Sequence, residues 1–133
     1  MASDEVKTDR RYTKDHEWAQ PRGGNVRVGI TAFAVDQLGD ITLVNLDVKA
    51  GDVLTVGKAF GTIESVKTLS DLFAPISGKI AAVNPALETK PELVNEDCYD
   101  AAWMIEIVPS DAKELAGLLD PAAYSELLKT AHH

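Results

Sequence analysis

The chain has 133 residues, with 13 Lys and Arg against 21 Asp and Glu for a formal charge of −8, and a hydrophobic fraction of 45%. That length supports one domain with its own core, and the acidic balance opposes binding to nucleic acid or anionic membranes while favouring basic partner surfaces. The single cysteine, Cys98, excludes an internal disulfide, and no apolar run approaches the ~20 residues of a membrane-crossing helix.

The N-terminal stretch, MASDEVKTDRR, has no apolar signal core, and its acids argue against a transit peptide. Residues 1–11 are expected to be a flexible segment and residues 12–130 a single domain. A cytoplasmic location follows, and a mature mitochondrial matrix form with its presequence removed is also compatible. From Tyr12 to Gln20 the chain can run as one strand; residues 21–25, Pro-Arg-Gly-Gly-Asn, then turn it into an alternating strand from Val26 to Ile30. Thr31 is a good N-cap for a short helix over Ala32 to Leu38, with Gly39 as its stop.

Ile41 to Val48 alternates as a strand, with Ile41 and Leu43 on one face and Val44 and Leu46 on the other. A short strand near Val53 to Val56 leads to Gly57. Two β-prone runs follow, Ala59 to Ile63 and Leu69 to Ala74, either side of Glu64-Ser65-Val66-Lys67-Thr68, which reads as a hairpin with Lys67 at its tip. Val66-Lys67 is a poor fit to the primed turns, which need positive φ, so a type I turn held by its surroundings is expected. The segment is nearly symmetric about Lys67, with Gly57-Lys58 before it and Gly78-Lys79 after it, which suits a flattened sandwich of two similar halves.

Lys79 to Val83 is a further strand, and residues 84–102 look irregular apart from a helical turn at Pro85 to Glu88. Cys98 lies in a polar stretch with no basic neighbour and reads as chemically inert. Trp103 to Val108 returns to strand, with Trp103, Ile105 and Ile107 on one side. Asp111 and Glu114 resemble a capping box opening a helix with Leu115, Leu118 and Leu119, and Asp120-Pro121 opens a second with Tyr124, Leu127 and Leu128. The terminal His132-His133 could be native or a tag remnant.

Little here can catalyse unaided. His16 is the only histidine outside the tail, no metal set is completed, no serine sits at a nucleophile elbow, and neither Gly-Lys pair has phosphate-loop spacing. Taken alone, Lys67 reads as a solvated turn lysine; a carrier would need one amine on a rigid protruding tip, a place that Lys67 fits.

Glu64-Ser65-Val66-Lys67, then Ser70-Asp71, then residues 74–78, Ala-Pro-Ile-Ser-Gly, resembles the lipoyl-attachment hairpin of the glycine cleavage system H protein family. The resemblance continues through residues 12–18 (Tyr-Thr-Lys-Asp-His-Glu-Trp), 28–31, 37–40, 91–95 and the tail from Asp120 to Leu128, in the family's order and spacing. It implies a mainly β fold, a lipoyl-domain-like barrel-sandwich hybrid of two small antiparallel sheets with added short helices, two of them C-terminal. It also implies a non-catalytic carrier with lipoate amide-linked to Lys67. Such a carrier shuttles an aminomethyl group from the pyridoxal-phosphate glycine decarboxylase to the tetrahydrofolate-dependent aminomethyltransferase, and electrons to dihydrolipoamide dehydrogenase. A lipoate ligase or a lipoyl/octanoyl transferase would load it. By the same resemblance Glu64, Ser65, Val66 and Asp71 are recognition residues, and Glu17 and Asp71 flank a cleft that shelters the loaded arm. An exposed strand carboxylate at Glu17, and an acid read only by the ligase at Asp71, are the competing readings. Trp18 and Trp103 read as core or pocket wall, and a monomer is expected.

The sequence departs from the family at Ala32, Phe33 and Val35, which are unusually apolar, in residues 46–51, which lack a proline and are one residue longer, at Cys98 in place of a common proline, and at Ala102-Trp103 in place of Gly-Trp. A relay protein that passes lipoyl groups to other complexes therefore stays open, as does a scaffold that is never modified. A biotinyl carrier fits less well, because methionines usually flank the lysine there.

Overall fold

The computed structural model describes residues 6–131. Two antiparallel sheets form its frame. In the first, six strands lie in the order β1 (Arg11–Tyr12), β2 (Glu17–Arg22), β3 (Asn25–Ile30), β9 (Ile105–Pro109), β8 (Gly78–Val83) and β5 (Val53–Leu54). In the second, β4 (Ile41–Leu46), β6 (Ala59–Ser65) and β7 (Leu69–Phe73) lie side by side with β6 central. Trp18, Phe60, Ile63, Leu72, Ile76, Ile80, Ile105 and Ile107 are all buried in the shared core. The mainly β, two-sheet architecture with short helices agrees with the sequence; the expected likeness of the two halves does not, since six strands face three.

The expected strand from Tyr12 to Gln20 is two strands. The Thr13 hydroxyl accepts from the amides of Asp15 and Glu17, both at 3.2 Å, and this local capture folds the chain back so that β1 pairs antiparallel with β2. His16 in that turn sits at φ 67°, a left-handed conformation unusual for a non-glycine residue. Strand β2 runs on through Pro21 to Arg22, paired with Asn25, so the turn is two residues long. Gly23 and Gly24 make it, at φ 57° and 92°, the double positive-φ geometry that matches strand twist. In β4 an irregularity between Ile41 and Leu43 re-phases the alternation. Ile41 and Val44 are buried and Leu43 is 48% exposed, which reverses the expected pairing of Leu43 with Ile41 on one face.

Residues 84–102 are packed despite their weak periodicity. Two short helices, α2 (Ala86–Thr89) and α3 (Leu93–Glu96), seat Leu87 and Val94 in the core, and the Asn84 side chain binds the carbonyls of Ala101 at 2.9 Å and Trp103 at 2.7 Å. Cys98, in a polar stretch by sequence, is fully buried. Trp103 lies outside β9, half-buried, with the Arg27 guanidinium 4.7 Å from its ring centre.

Helix α1 (Ala32–Leu38) is capped by Thr31 and ends at Gly39, as its sequence predicts. Helix α4 (Ala112–Ala116) is capped by Asp111, whose carboxylate accepts from the Lys113 amide, but the capping box is only half made. Glu114 does not reach back; its carboxylate takes the Ser77 amide at 2.8 Å and the Ser77 hydroxyl at 3.2 Å, tying α4 to the start of β8. Helix α5 (Pro121–Ala131) buries Tyr124 and Leu128, and Tyr124 stacks on Tyr12 with ring centres 4.3 Å apart.

Of the expected flexible segment 1–11, residues 1–5 lie outside the described residues, as do His132 and His133. Arg10 is buried, 4.6 Å over the Trp18 ring and donating to the Tyr99 carbonyl at 2.7 Å, so the packed body begins before Tyr12. Among the described residues no helix is long and apolar enough to cross a membrane.

Candidate functional site

The β6–β7 hairpin carries the candidate lysine. Glu64 pairs with Leu69, and Ser65 closes the tip: its amide donates to the Thr68 carbonyl at 2.8 Å, and its hydroxyl accepts from the amides of Lys67 at 3.3 Å and Thr68 at 3.2 Å. The serine oxygen thus substitutes for a backbone carbonyl acceptor, and the turn holds without the positive φ of a primed turn; Val66 and Lys67 both have negative φ. A second brace comes from outside the hairpin. The Val66 amide donates to the Asp40 carbonyl at 3.0 Å, while Asn95 fixes that loop by accepting from the Ile41 amide at 2.8 Å and donating to the Gly39 carbonyl at 3.0 Å.

Lys67 is exposed, and among the described residues its ammonium is in no ion pair. Its stem runs beside Gly39, where a β-carbon would lie 3.3 Å from Lys67 Cε. Gly39 has φ 84° and ψ −153°, a conformation reserved for glycine, so the same residue ends α1 and leaves room for the lysine. Val66 and Leu69, 69% and 62% exposed, flank the amine with apolar surface, and Glu64 is exposed beside them. Ser65, expected among the recognition residues, is buried with its hydroxyl engaged inside the turn, where it shapes the tip.

A cleft of about 380 Å³ opens between α1, β7 and the β1–β2 turn, walled by His16, Glu17, Phe33, Gln37, Asp71 and Phe73 among others. Glu17 and Asp71, separated by more than fifty positions in the chain, both border it. They differ in kind. Asp71 stands exposed at the rim, opposite Thr62 in the hairpin ladder. Glu17 is 3% exposed, which overturns the exposed-carboxylate reading; its carboxylate accepts from the Phe73 amide and the Thr13 hydroxyl, each at 3.1 Å. Burial pushes its pKa up to about 7, against the opposing pull of those two hydrogen bonds. A cation entering the cleft would meet an acid able to ionise in response. Glu17 and Phe73 also border a larger groove of about 760 Å³, whose other walls include Tyr12, Pro75, Leu118 and Leu119.

Sequence reasoning overlooked three of these residues. Asn95 was visible only as one member of a matching block, His16 only as a member of another and as an insufficient metal ligand, and Phe33 only as a departure toward apolar character. Among the described residues no group of three metal-ligating side chains converges.

Two antiparallel sheets, with an exposed lysine raised on a braced hairpin of the smaller one and a carboxylate-bearing cleft beside that hairpin, define the class of protein: a carrier with a lipoyl-domain-like fold. The family model for the glycine cleavage H-protein matches residues 10–131. The glycine cleavage system H protein of Anaeromyxobacter sp. (strain K) is 50% identical over 125 residues, covering 94% of this chain and 97% of that one, and its counterpart in Myxococcus xanthus is 46% identical over 129 residues, covering 97% and 99%. A crystal structure of a glycine cleavage system H protein from Mycobacterium marinum superposes with a TM-score of 0.83 at 37% identity, covering 96% of this chain and all of that one. The chain belongs to the glycine cleavage H-protein family.

Proposed function

We propose that this chain is the lipoyl carrier of the glycine cleavage system, with lipoate joined through an amide to Lys67 Nζ. The observation that carries the reading is the placement of Lys67: exposed and outside any ion pair on a turn braced from within by Ser65 and from without by Asp40 and Asn95. The residues fit the group. A loading enzyme finds an accessible amine flanked by exposed Glu64, Val66 and Leu69, and an arm rooted at Lys67 has a cleft nearby with apolar walls and three acids, Asp15, Glu17 and Asp71.

When bound, lipoate supplies a disulfide that opens to two thiols and can hold a one-carbon amine. The protein's own part is to raise, brace and protect. Tethering lets each partner meet the group at the effective concentration set by the arm. Phe33 and Phe73 restrict water at the cleft walls, and Glu17 and Asp71 offer counter-charge to an ammonium, where partial burial strengthens the attraction. The partners follow from that cycle: the pyridoxal-phosphate glycine decarboxylase, the aminomethyltransferase, dihydrolipoamide dehydrogenase, and a lipoate ligase or lipoyl/octanoyl transferase.

Intact mass after expression with lipoate and a ligase tests the attachment. One lipoyl increment, abolished in Lys67→Arg, is expected; no increment, or one that survives the substitution, defeats the assignment. Reconstituted glycine decarboxylation then separates this carrier from a lipoyl relay, since a relay donates lipoyl groups without stimulating the decarboxylase.

A further inference from the structure

His16 Nδ1 lies 2.8 Å from the Tyr124 hydroxyl, which in turn lies 2.7 Å from the Thr31 hydroxyl. Tyr124 comes from α5 and Thr31 caps α1, so three segments, with His16 from the β1–β2 turn, meet at one phenol hydroxyl. The direction of the hydrogens follows from what each oxygen must satisfy. Thr31 Oγ1 accepts from the Ala34 amide at 3.3 Å and is fully buried, so its own hydrogen needs an acceptor, and Tyr124 is the one within reach. Once Tyr124 accepts from Thr31, the phenol's hydrogen goes to His16 Nδ1. The imidazole is then neutral with its proton on Nε2, a state also favoured by burial, which holds the His16 pKa below its ordinary value.

Tyr124 is fully buried and does not border the cleft, whereas His16 does. With Nδ1 held by Tyr124, Nε2–H is the ring nitrogen left to meet an occupant of the cleft. The Tyr124 hydrogen bond and the Phe33 ring, its centre 4.6 Å from that of His16, hold the imidazole in place. Resting on the lipoyl assignment above, we infer that the Thr31–Tyr124–His16 relay holds His16 as a neutral Nε2–H donor to an acceptor atom, sulfur or amide oxygen, of a lipoyl arm lying in the cleft. The cleft is then two-sided, with acids for the cationic end of the cargo and a donor for the arm itself, so an occupant is read in one orientation. Tyr124 is a positioning residue that acts through His16.

Nitrogen NMR of the unmodified protein reads the relay without any arm. The expected result is a neutral His16 with Nε2 protonated and Nδ1 bare, shifting to a mixture of tautomers in Tyr124→Phe, which keeps the stacking on Tyr12, and staying unchanged in Thr31→Ser, which keeps the hydroxyl. An Nδ1–H tautomer in the unaltered protein, or a Tyr124→Phe spectrum identical to it, overturns the relay. In the lipoylated, cargo-bearing protein the His16 Nε2 resonance is expected to move, and Tyr124→Phe is expected to lose cargo roughly three- to tenfold faster, the worth of one net hydrogen bond. An unmoved resonance with an unchanged rate overturns the donor role. Absence of lipoylation would defeat the assignment above and leave the tautomer result standing by itself.

Discussion

Glu17 is a structural tie that, in the proposed carrier, also supplies counter-charge to the cleft. Its two oxygens join the β1–β2 turn to the end of β7, and burial raises its pKa from the ordinary 4.5 to about 7. Between those values the folded chain keeps a proton that the unfolded chain releases, so Glu17 makes stability fall as pH rises from about 4.5 to about 7 and then level off. Glu17→Gln has nothing to titrate and one acceptor oxygen, enough for the Phe73 amide but not also for the Thr13 hydroxyl; it should lower stability overall, and its stability curve should be flatter across that window by on the order of 2–3 kcal/mol. Denaturant midpoints at pH 5 and pH 8 would check this. The same substitution should leave lipoylation intact and shorten the lifetime of the loaded arm mainly above pH 7, where Glu17 is ionised in the native protein. Equal lifetimes for the two proteins at pH 8 would remove the counter-charge role.

At the scale of elements, the lysine tip behaves as a rigid unit because its braces are short and of different origin. Ser65→Ala removes the acceptor for the Lys67 and Thr68 amides, and a loss of about 1 kcal/mol is expected, with faster hydrogen exchange confined to residues 66–68. Gly39→Ala acts from the other side. It forces a side chain into a glycine-only conformation and places its β-carbon 3.3 Å from Lys67 Cε, for a cost of order 1–3 kcal/mol together with slower loading by the ligase. Slower loading in Gly39→Ala at unchanged stability would point to the lysine contact alone; normal loading would show that the stem swings clear of α1. The hairpin and the lysine at its apex were legible in the sequence, since both depend on residues within fifteen positions of each other. The braces were not, because Asp40 and Asn95 reach the tip only through the folded chain.

Across the whole molecule, Trp18 is the joint between the six-stranded sheet and the long connection. Its indole N–H is shared between the carbonyls of Ile30 at 3.0 Å and Cys98 at 3.1 Å, and its ring lies across Gly29, where a β-carbon would approach to 2.6 Å. Gly29→Ala should therefore displace a fully buried ring and cost roughly 1–3 kcal/mol, lowering the thermal midpoint by several degrees. A midpoint equal to the parent's would mean that the sheet gives way without cost. The irregular stretch 84–102 makes sense at this scale: its strand-poor sequence wraps the sheet, buries Cys98 and Tyr99, and delivers Asn95 to the lysine loop.

By itself the sequence determined most of the β-strands, the helix ends at Thr31 and Gly39, and the lysine on its turn, because each is written in local alternation, capping or turn chemistry; the two-sheet arrangement was implied by the family resemblance. Tertiary structure alone decided the partners of groups that local rules leave open. Glu114 holds Ser77 instead of its own helix start, Glu17 is buried against Phe73, Leu43 faces outward past a bulge, and His16 is held by Tyr124 from 108 positions away. The physical reason is common to all four: a hydrogen bond or a buried face is won by whichever group lies nearest in space, and nearness across fifty or a hundred residues is set by sheet register and packing, which no local window of residues encodes.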